Sequence, residues 1–212
     1  MRFSGTQINI LTQEVEQRLS DKRYKHTLGV KDAALKLASF FEDLDGSEIS
    51  VAALLHDITK EYSVAEHEKL MLSNGEKVTD ADLLSSAVLH SLTAPYVILR
   101  DFPSYATENV LSSVKNHTLG DAEMSVFDEI IFLADYVEDG RTYPSCVEVR
   151  TRLYGDLDNA SDLRERMVSL HTATVAALSN TLASLRARNE CIHPKTLETL
   201  DAFVGKLADK RN

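Results

Sequence analysis

Cysteine is nearly missing from this 212-residue chain: Cys146 and Cys191 are the two present, in no CxxC arrangement. That is too few for a disulfide framework, and it predicts a reducing, cytoplasmic setting. Basic charge is also short, with 23 Lys and Arg against 33 Asp and Glu and a formal net charge of −10. Nothing resembles a cationic stripe that would neutralise a row of phosphates, so a general nucleic-acid binder is excluded. A small anionic ligand is not excluded, because a few local cations or a metal suffice. No apolar run approaches the length of a membrane span, and the opening residues Met1-Arg2-Phe3-Ser4 lack the apolar region of a signal peptide. Neither a membrane nor a nucleic acid is expected as a partner. Proline (4) and glycine (8) are scarce, and strand alternation and hairpin signals are missing. With Leu, Ala, Glu and Lys abundant, the expected fold is all-α. No repeat, low-complexity segment or Pro/Gly/Ser-rich linker divides the chain, so one helical domain over 1–212 is expected.

Helix signals then follow in order. Ile10, Leu11, Val15 and Leu19 give roughly helical spacing over 7–19; this segment either covers the core or pairs with a second subunit to make a homodimer. Ser20 or Asp21 caps a helix running to about Phe41, with His26 near its start and Val30, Ala33, Ala34 and Leu37 on its apolar face. Ser47 opens a helix that ends in Leu54-Leu55-His56-Asp57. Ser63-Val64-Ala65-Glu66 has capping-box form, and Asn74-Gly75 ends that helix. His67 within it, flanked by Glu66, Glu68 and Lys69, reads as a solvated surface residue. A cap at Thr79–Asp82 starts an apolar approach through Leu83, Leu84, Ala87 and Val88 to His90. Val110, Leu111 and Val114 place His117 inward at a helix end. Ser125 caps a helix that is apolar all round through Ile130–Ala134, therefore central, with Asp135 at its end. Further helices are expected over about 146–154, 161–188 and after His193-Pro194.

His56-Asp57 alone has three readings: a hydrogen-bonded structural pair, an acid/base pair, or two ligands of one divalent metal. A lone inward histidine is more often a satisfied core residue than a ligand. Here, however, His26, His56-Asp57, His90, His117 and Asp135 arrive separately, each near the end of an apolar helix. Five such deliveries favour a shared metal site. Imidazole and carboxylate without thiolate suit iron, zinc, manganese or cobalt.

The order His…His-Asp…His…His…Asp on helices resembles the HD-domain metal-dependent phosphohydrolases. Ser113-Val114-Lys115-Asn116-His117-Thr118-Leu119-Gly120 and Glu129-Ile130-Ile131-Phe132-Leu133-Ala134-Asp135-Tyr136-Val137-Glu138 resemble the YqeK branch of that superfamily, as do Ala53–Asp57 with Lys60 and Ile192-His193-Pro194. Two departures bear on pocket shape: Asp139-Gly140 where the branch often has a proline, and Ser91 where it often has glycine.

The resemblance implies a single HD-type helical domain, with its core at about 20–141 and the helices of 142–212 completing the pocket. It implies symmetrical hydrolysis of diadenosine tetraphosphate to two ADP by metal-activated water, with one or two ions, iron foremost. A dinucleoside polyphosphate or nucleoside diphosphate is then the small-molecule partner. His26, His56, Asp57 and Asp135 are the expected metal ligands, and Asp57 also orients or deprotonates the attacking water. His90 and His117 are assigned to a second metal or to phosphate, with catalytic parts beside Asp57. Arg23, Lys60, Thr118 and Arg141 are the expected anion contacts, because phosphoryl transfer rests on positioning and charge stabilisation. Tyr136 and Tyr143 either stack on a base or pack. Two rivals remain: another HD-type nucleotide phosphohydrolase such as a nucleotidase, and a non-catalytic nucleotide or metal sensor.

Overall fold

The apolar stretch after Ser125 forms the helix that the others surround. In this computed structural model, which describes residues 1–209, helix α8 (Val126–Val137) buries Ile130, Ile131, Leu133 and Ala134 completely. Its start is fixed by a capping box between Ser125 and Asp128. Among the helices that pack on it are α2 (Asp21–Ala38), α7 (Glu108–Asn116) and α3 (Gly46–Leu55). Side chains of Ser20, Thr107 and Asp45 cap these three, each accepting a backbone N–H of the first turn. Every residue of α3 from Ser47 to Leu55 is buried, so this short helix is enclosed on all sides.

The remaining described elements enclose this frame. Helix α1 (Gly5–Glu16) lies on α3 with Leu11 and Val15 fully buried, so the N-terminal segment covers the chain's own core. Helices α4 (Val64–Ser73), α5 (Asp80–Leu84) and α6 (Leu89–Asp101) follow, then α9 (Pro144–Asn159), α10 (Leu163–Ala187) and α11 (Pro194–Asp209). α10 packs on α8, α9 and α11. No strand occurs among the described residues, as expected for an all-α chain. None of the helices there is long and apolar enough to cross a membrane.

Two expectations are corrected. His67 is buried, not solvated: it shares with Met71 the face of α4 turned towards α6, and its Nδ1 lies 2.8 Å from Thr93 Oγ1. Its charged flanks occupy the other faces of the helix and say nothing about this one. The helix begun at Thr79 also stops early, at Leu84, which is 70% exposed. A single 3₁₀ turn at Ser86–Val88 intervenes, and His90 sits in the first turn of α6 instead of ending the previous helix. Serines 85 and 86 offer the backbone local alternatives to helical bonding, which suits a break there.

Candidate active site

The chain delivers its polar groups to one place through helix ends. His56 is the C-cap of α3 and His117 that of α7, while Asp135 lies in the last turn of α8. His26 comes from the second turn of α2, and His90 from the start of α6. The C-termini of α3, α7 and α8 therefore converge, and their partial negative charge suits a cation.

One local device sets three of the histidines. The Nδ1–H of His56 donates to the Ala53 carbonyl at 2.7 Å, that of His90 to Ala87 at 2.9 Å, and that of His117 to Val114 at 2.6 Å. Each bond runs to the carbonyl three residues earlier, where a helical turn ends and leaves carbonyls without a helical partner. The 3₁₀ turn before His90 has this consequence: in an unbroken α-helix the Ala87 carbonyl would be committed to the backbone four residues on. A carbonyl only accepts, so Nδ1 holds the proton and Nε2 keeps its lone pair. His26 reaches the same tautomer by another route, with Nδ1 at 3.2 Å from Glu138 Oε1.

All four Nε2 atoms point towards the two aspartates. Asp57 Oδ2 lies 3.4 Å from His56 Nε2 and 3.7 Å from His26 Nε2, and Oδ1 lies 3.2 Å from His90 Nε2 and 3.7 Å from His117 Nε2. Asp135 Oδ1 is 2.9 Å from His26 Nε2. Yet the Nε2 atoms of His26 and His56 are buried with no hydrogen-bond partner. Lone pairs and carboxylate oxygens face each other without a proton aligned between them, which is the arrangement that a metal ion resolves. Two groups of donors, His26-His56-Asp135 and His56-Asp57-His117, each bring their ligand atoms within 4.8 Å of one another. The site's chemistry therefore fits a divalent ion.

Cations surround this cluster. Arg23 Nη1 donates to Asp57 Oδ2 at 2.7 Å, and Arg141 Nη2 donates to Asp135 Oδ1 at 2.6 Å. Lys60 Nζ lies 3.3 Å from His90 Nε2, and Thr118 Oγ1 lies 3.1 Å from the same atom. Burial alone would raise the Asp57 carboxyl, but its contacts with the imidazoles of His56, His117 and His90 outweigh that and hold it well below the usual range. Asp135 is also held low: burial opposes this, and the Arg141 charge and the His26 contact outweigh it. Burial depresses the His90 imidazole to about 3, despite the help of Asp57, so His90 is neutral. Burial likewise lowers the Lys60 ammonium.

The structure thus gathers all ten expected residues: His26, His56, Asp57, Asp135, His90, His117, Arg23, Lys60, Thr118 and Arg141. Sequence reasoning quoted Glu138 within a motif without giving it a part in the site. Its buried carboxylate sits between two glycines and accepts the Gly140 N–H at 2.6 Å; a Cβ on Gly29 would lie 2.6 Å from its Oε2. The available signal was a glutamate three residues beyond Asp135, at the end of an apolar helix. Behind the site, Gly120 (φ +71°) turns the chain just after Thr118, and a Cβ there would lie 2.5 Å from Thr199 Cγ2 of α11. A cleft of about 990 Å³ opens beside the cluster between α2 and the segment 137–143, with Arg23, His26, Glu138 and Arg141 in its walls. Tyr143 lines it, 69% exposed, whereas Tyr136 packs against the core.

Residues 23–140 match the family model described as HD domain, a class that the helical frame and the histidine-aspartate cluster both suit. The symmetrical bis(5'-nucleosyl)-tetraphosphatase of Halalkalibacterium halodurans is 33% identical over 194 residues, 91% of this chain and 94% of that one. Its namesake from Bacillus subtilis is 29% identical, covering 90% of this chain and 94% of its own. A solved Clostridium acetobutylicum structure, described as a predicted HD superfamily hydrolase involved in NAD metabolism, superposes with a TM-score of 0.81 at 27% identity, covering 93% of this chain and 97% of that one. The chain belongs to the HD-domain family and, within it, to the YqeK branch.

Proposed function

We propose that this chain is a metal-dependent hydrolase that splits diadenosine tetraphosphate symmetrically into two ADP. The observation that carries the reading is the convergence of four imidazole lone pairs on Asp57 and Asp135 beside a cleft of nucleotide dimensions. The shared name of the H. halodurans and B. subtilis relatives supports the substrate.

In this reading His26, His56, Asp57 and Asp135 hold the metal, and His90 and His117 hold either a second ion or, when protonated at Nε2, a phosphate oxygen. The metal, when bound, polarises a phosphoryl oxygen and lowers the pKa of a water. The donor set suits iron, manganese, cobalt or zinc, and iron is our assignment. The protein's own groups do the rest. Asp57 is in contact with all four histidines, so it is placed to orient the attacking water and take its proton. Water adds to one of the two central phosphorus atoms, the central P–O–P bond breaks, and ADP departs as the leaving group. Arg23, Arg141 and Lys60 supply positive charge to the phosphates, and the Thr118 hydroxyl donates a hydrogen bond. Neutral His90 keeps its Nε2 lone pair free to face an ion. The helices that follow residue 141 belong to the same functional unit as the HD core, since the cleft wall continues through Thr142 and Tyr143 to Tyr154 of α9. The two unpaired cysteines, one buried and one exposed, suit a cytoplasmic protein.

The test is product analysis with metal quantification on protein purified without chelator. Two ADP and stoichiometric iron are expected, and Asp57→Ala or His56→Ala lowers turnover by about 10²–10⁴-fold while the protein stays helical. AMP plus ATP would overturn symmetrical cleavage. Faster turnover of a mononucleotide or of NAD would favour a different phosphohydrolase, and tight nucleotide binding without turnover a sensor.

A further inference from the structure

The cleft does not end at the metal cluster. It follows one face of α2: Lys22, Lys25-His26, Gly29, Ala33 and Lys36 recur at helical spacing and line it. His26 and Arg23 mark the cluster, and Lys36 lies ten residues on, a rise of about 15 Å along the helix. There Lys36 Nζ sits over the Tyr154 ring of α9, 3.8 Å from its centroid. Between the cluster and Lys36, Gly29 (against which the Glu138 carboxylate lies) and Ala33 line the groove without a projecting side chain of their own. In a chain of net charge −10, this groove concentrates Lys22, Arg23, Lys25, Lys36 and Arg141, with Asp32, Glu61, Glu138 and Asp139 as its acids. Glu138 is committed to His26 and Gly140, and Glu61 to the Ser20 N–H and hydroxyl.

From these features we infer that the far end of the groove is the subsite for the second nucleoside of a two-headed substrate, with Lys36 and Tyr154 as its specificity-determining residues. The inference rests on the functional reading above and adds where the outer half goes. About 15 Å from the cluster lies the reach of the outer nucleoside and not of its phosphate, and there the Lys36 ammonium offers a hydrogen-bond donor and Tyr154 an aromatic edge to a purine and its ribose. The cluster handles the central phosphates some 15 Å away, so these two residues discriminate between a substrate with two nucleosides and one with a single nucleoside. They take no part in bond cleavage.

Binding is measured by calorimetry on the metal-loaded protein, comparing ADP with diadenosine tetraphosphate whose central bridging oxygen is replaced by methylene. The wild type binds the two-nucleoside analogue about tenfold more tightly than ADP, equivalent to ~1.4 kcal/mol. Lys36→Ala, at an exposed position that leaves folding intact, removes most of that preference without altering ADP affinity, as does Tyr154→Leu. Equal weakening of both ligands, or of neither, overturns the subsite. This readout needs no turnover. Failure of the hydrolase reading would appear separately, as missing ADP product from the natural substrate.

Discussion

At the scale of single residues, the site depends on which histidine nitrogen carries the proton. Three of the four imidazoles take that instruction from their own chain, through carbonyls at 53, 87 and 114. His26 takes it from Glu138 alone, so Glu138 is the residue whose loss should loosen that imidazole and spare the other three. Glu138→Gln keeps the size of the side chain and an acceptor oxygen but gives up the charge that makes His26 a better ligand. Apparent metal affinity should fall about 10–100-fold, measured by competition with a coloured chelator. Affinity equal to wild type would show that His26 is held by something else. The residues of the cluster were legible in the sequence because each lies near one end of an apolar helix. Glu138 was not, because its burial depends on Gly29 of α2, far away in sequence, leaving room for the carboxylate. His67 escaped for the same kind of reason: its partner Thr93 belongs to another helix.

At the scale of elements, caps and apolar stripes were enough to place most helices, and Ser63 and Ser125 start theirs where the capping pattern says. The break before α6 was not readable, since Leu83 and Leu84 continue an apolar pattern although neither is buried. The sequence also gave no hint of how the loop after α8 is held. Arg150 of α9 donates to the carbonyls of Val137 and Glu138 and, at 2.8 Å, to that of Arg141. One guanidinium thus satisfies the end of α8 and the loop that presents Glu138 and Arg141 to the cluster. A lysine ammonium keeps the charge but lacks the fork that reaches separate carbonyls together. Arg150→Lys should therefore speed hydrogen exchange at the Arg141 amide, which bonds to the Glu138 carbonyl at 2.9 Å, and lower metal affinity about tenfold. Unchanged exchange together with unchanged affinity would mean that the loop holds itself.

Across the whole molecule, α8 is tied on two sides by two acids. Asp135 faces the cluster, and Glu129, six residues earlier and hence on another face of the helix, faces α10. Glu129 is fully buried, and its Oε2 lies 3.0 Å from His171 Nδ1 and accepts the Thr174 hydroxyl at 3.0 Å. The His171 ring in turn meets Phe203 of α11 edge to face, with centroids 5.3 Å apart. This polar junction joins the helices that match the HD family to those that follow them. Its removal should be felt as lost cooperativity between the two sets, because α8 has no exposed face on which to re-solvate. Glu129→Ala deletes the buried carboxylate that His171 and Thr174 share, a change of about 3–5 kcal/mol by analogy with broken buried pairs. Glu129→Gln, which keeps an acceptor in place, should recover more than half of that. Urea unfolding followed by circular dichroism reads both. A midpoint for Glu129→Ala equal to wild type would show that apolar packing alone holds α10 on α8.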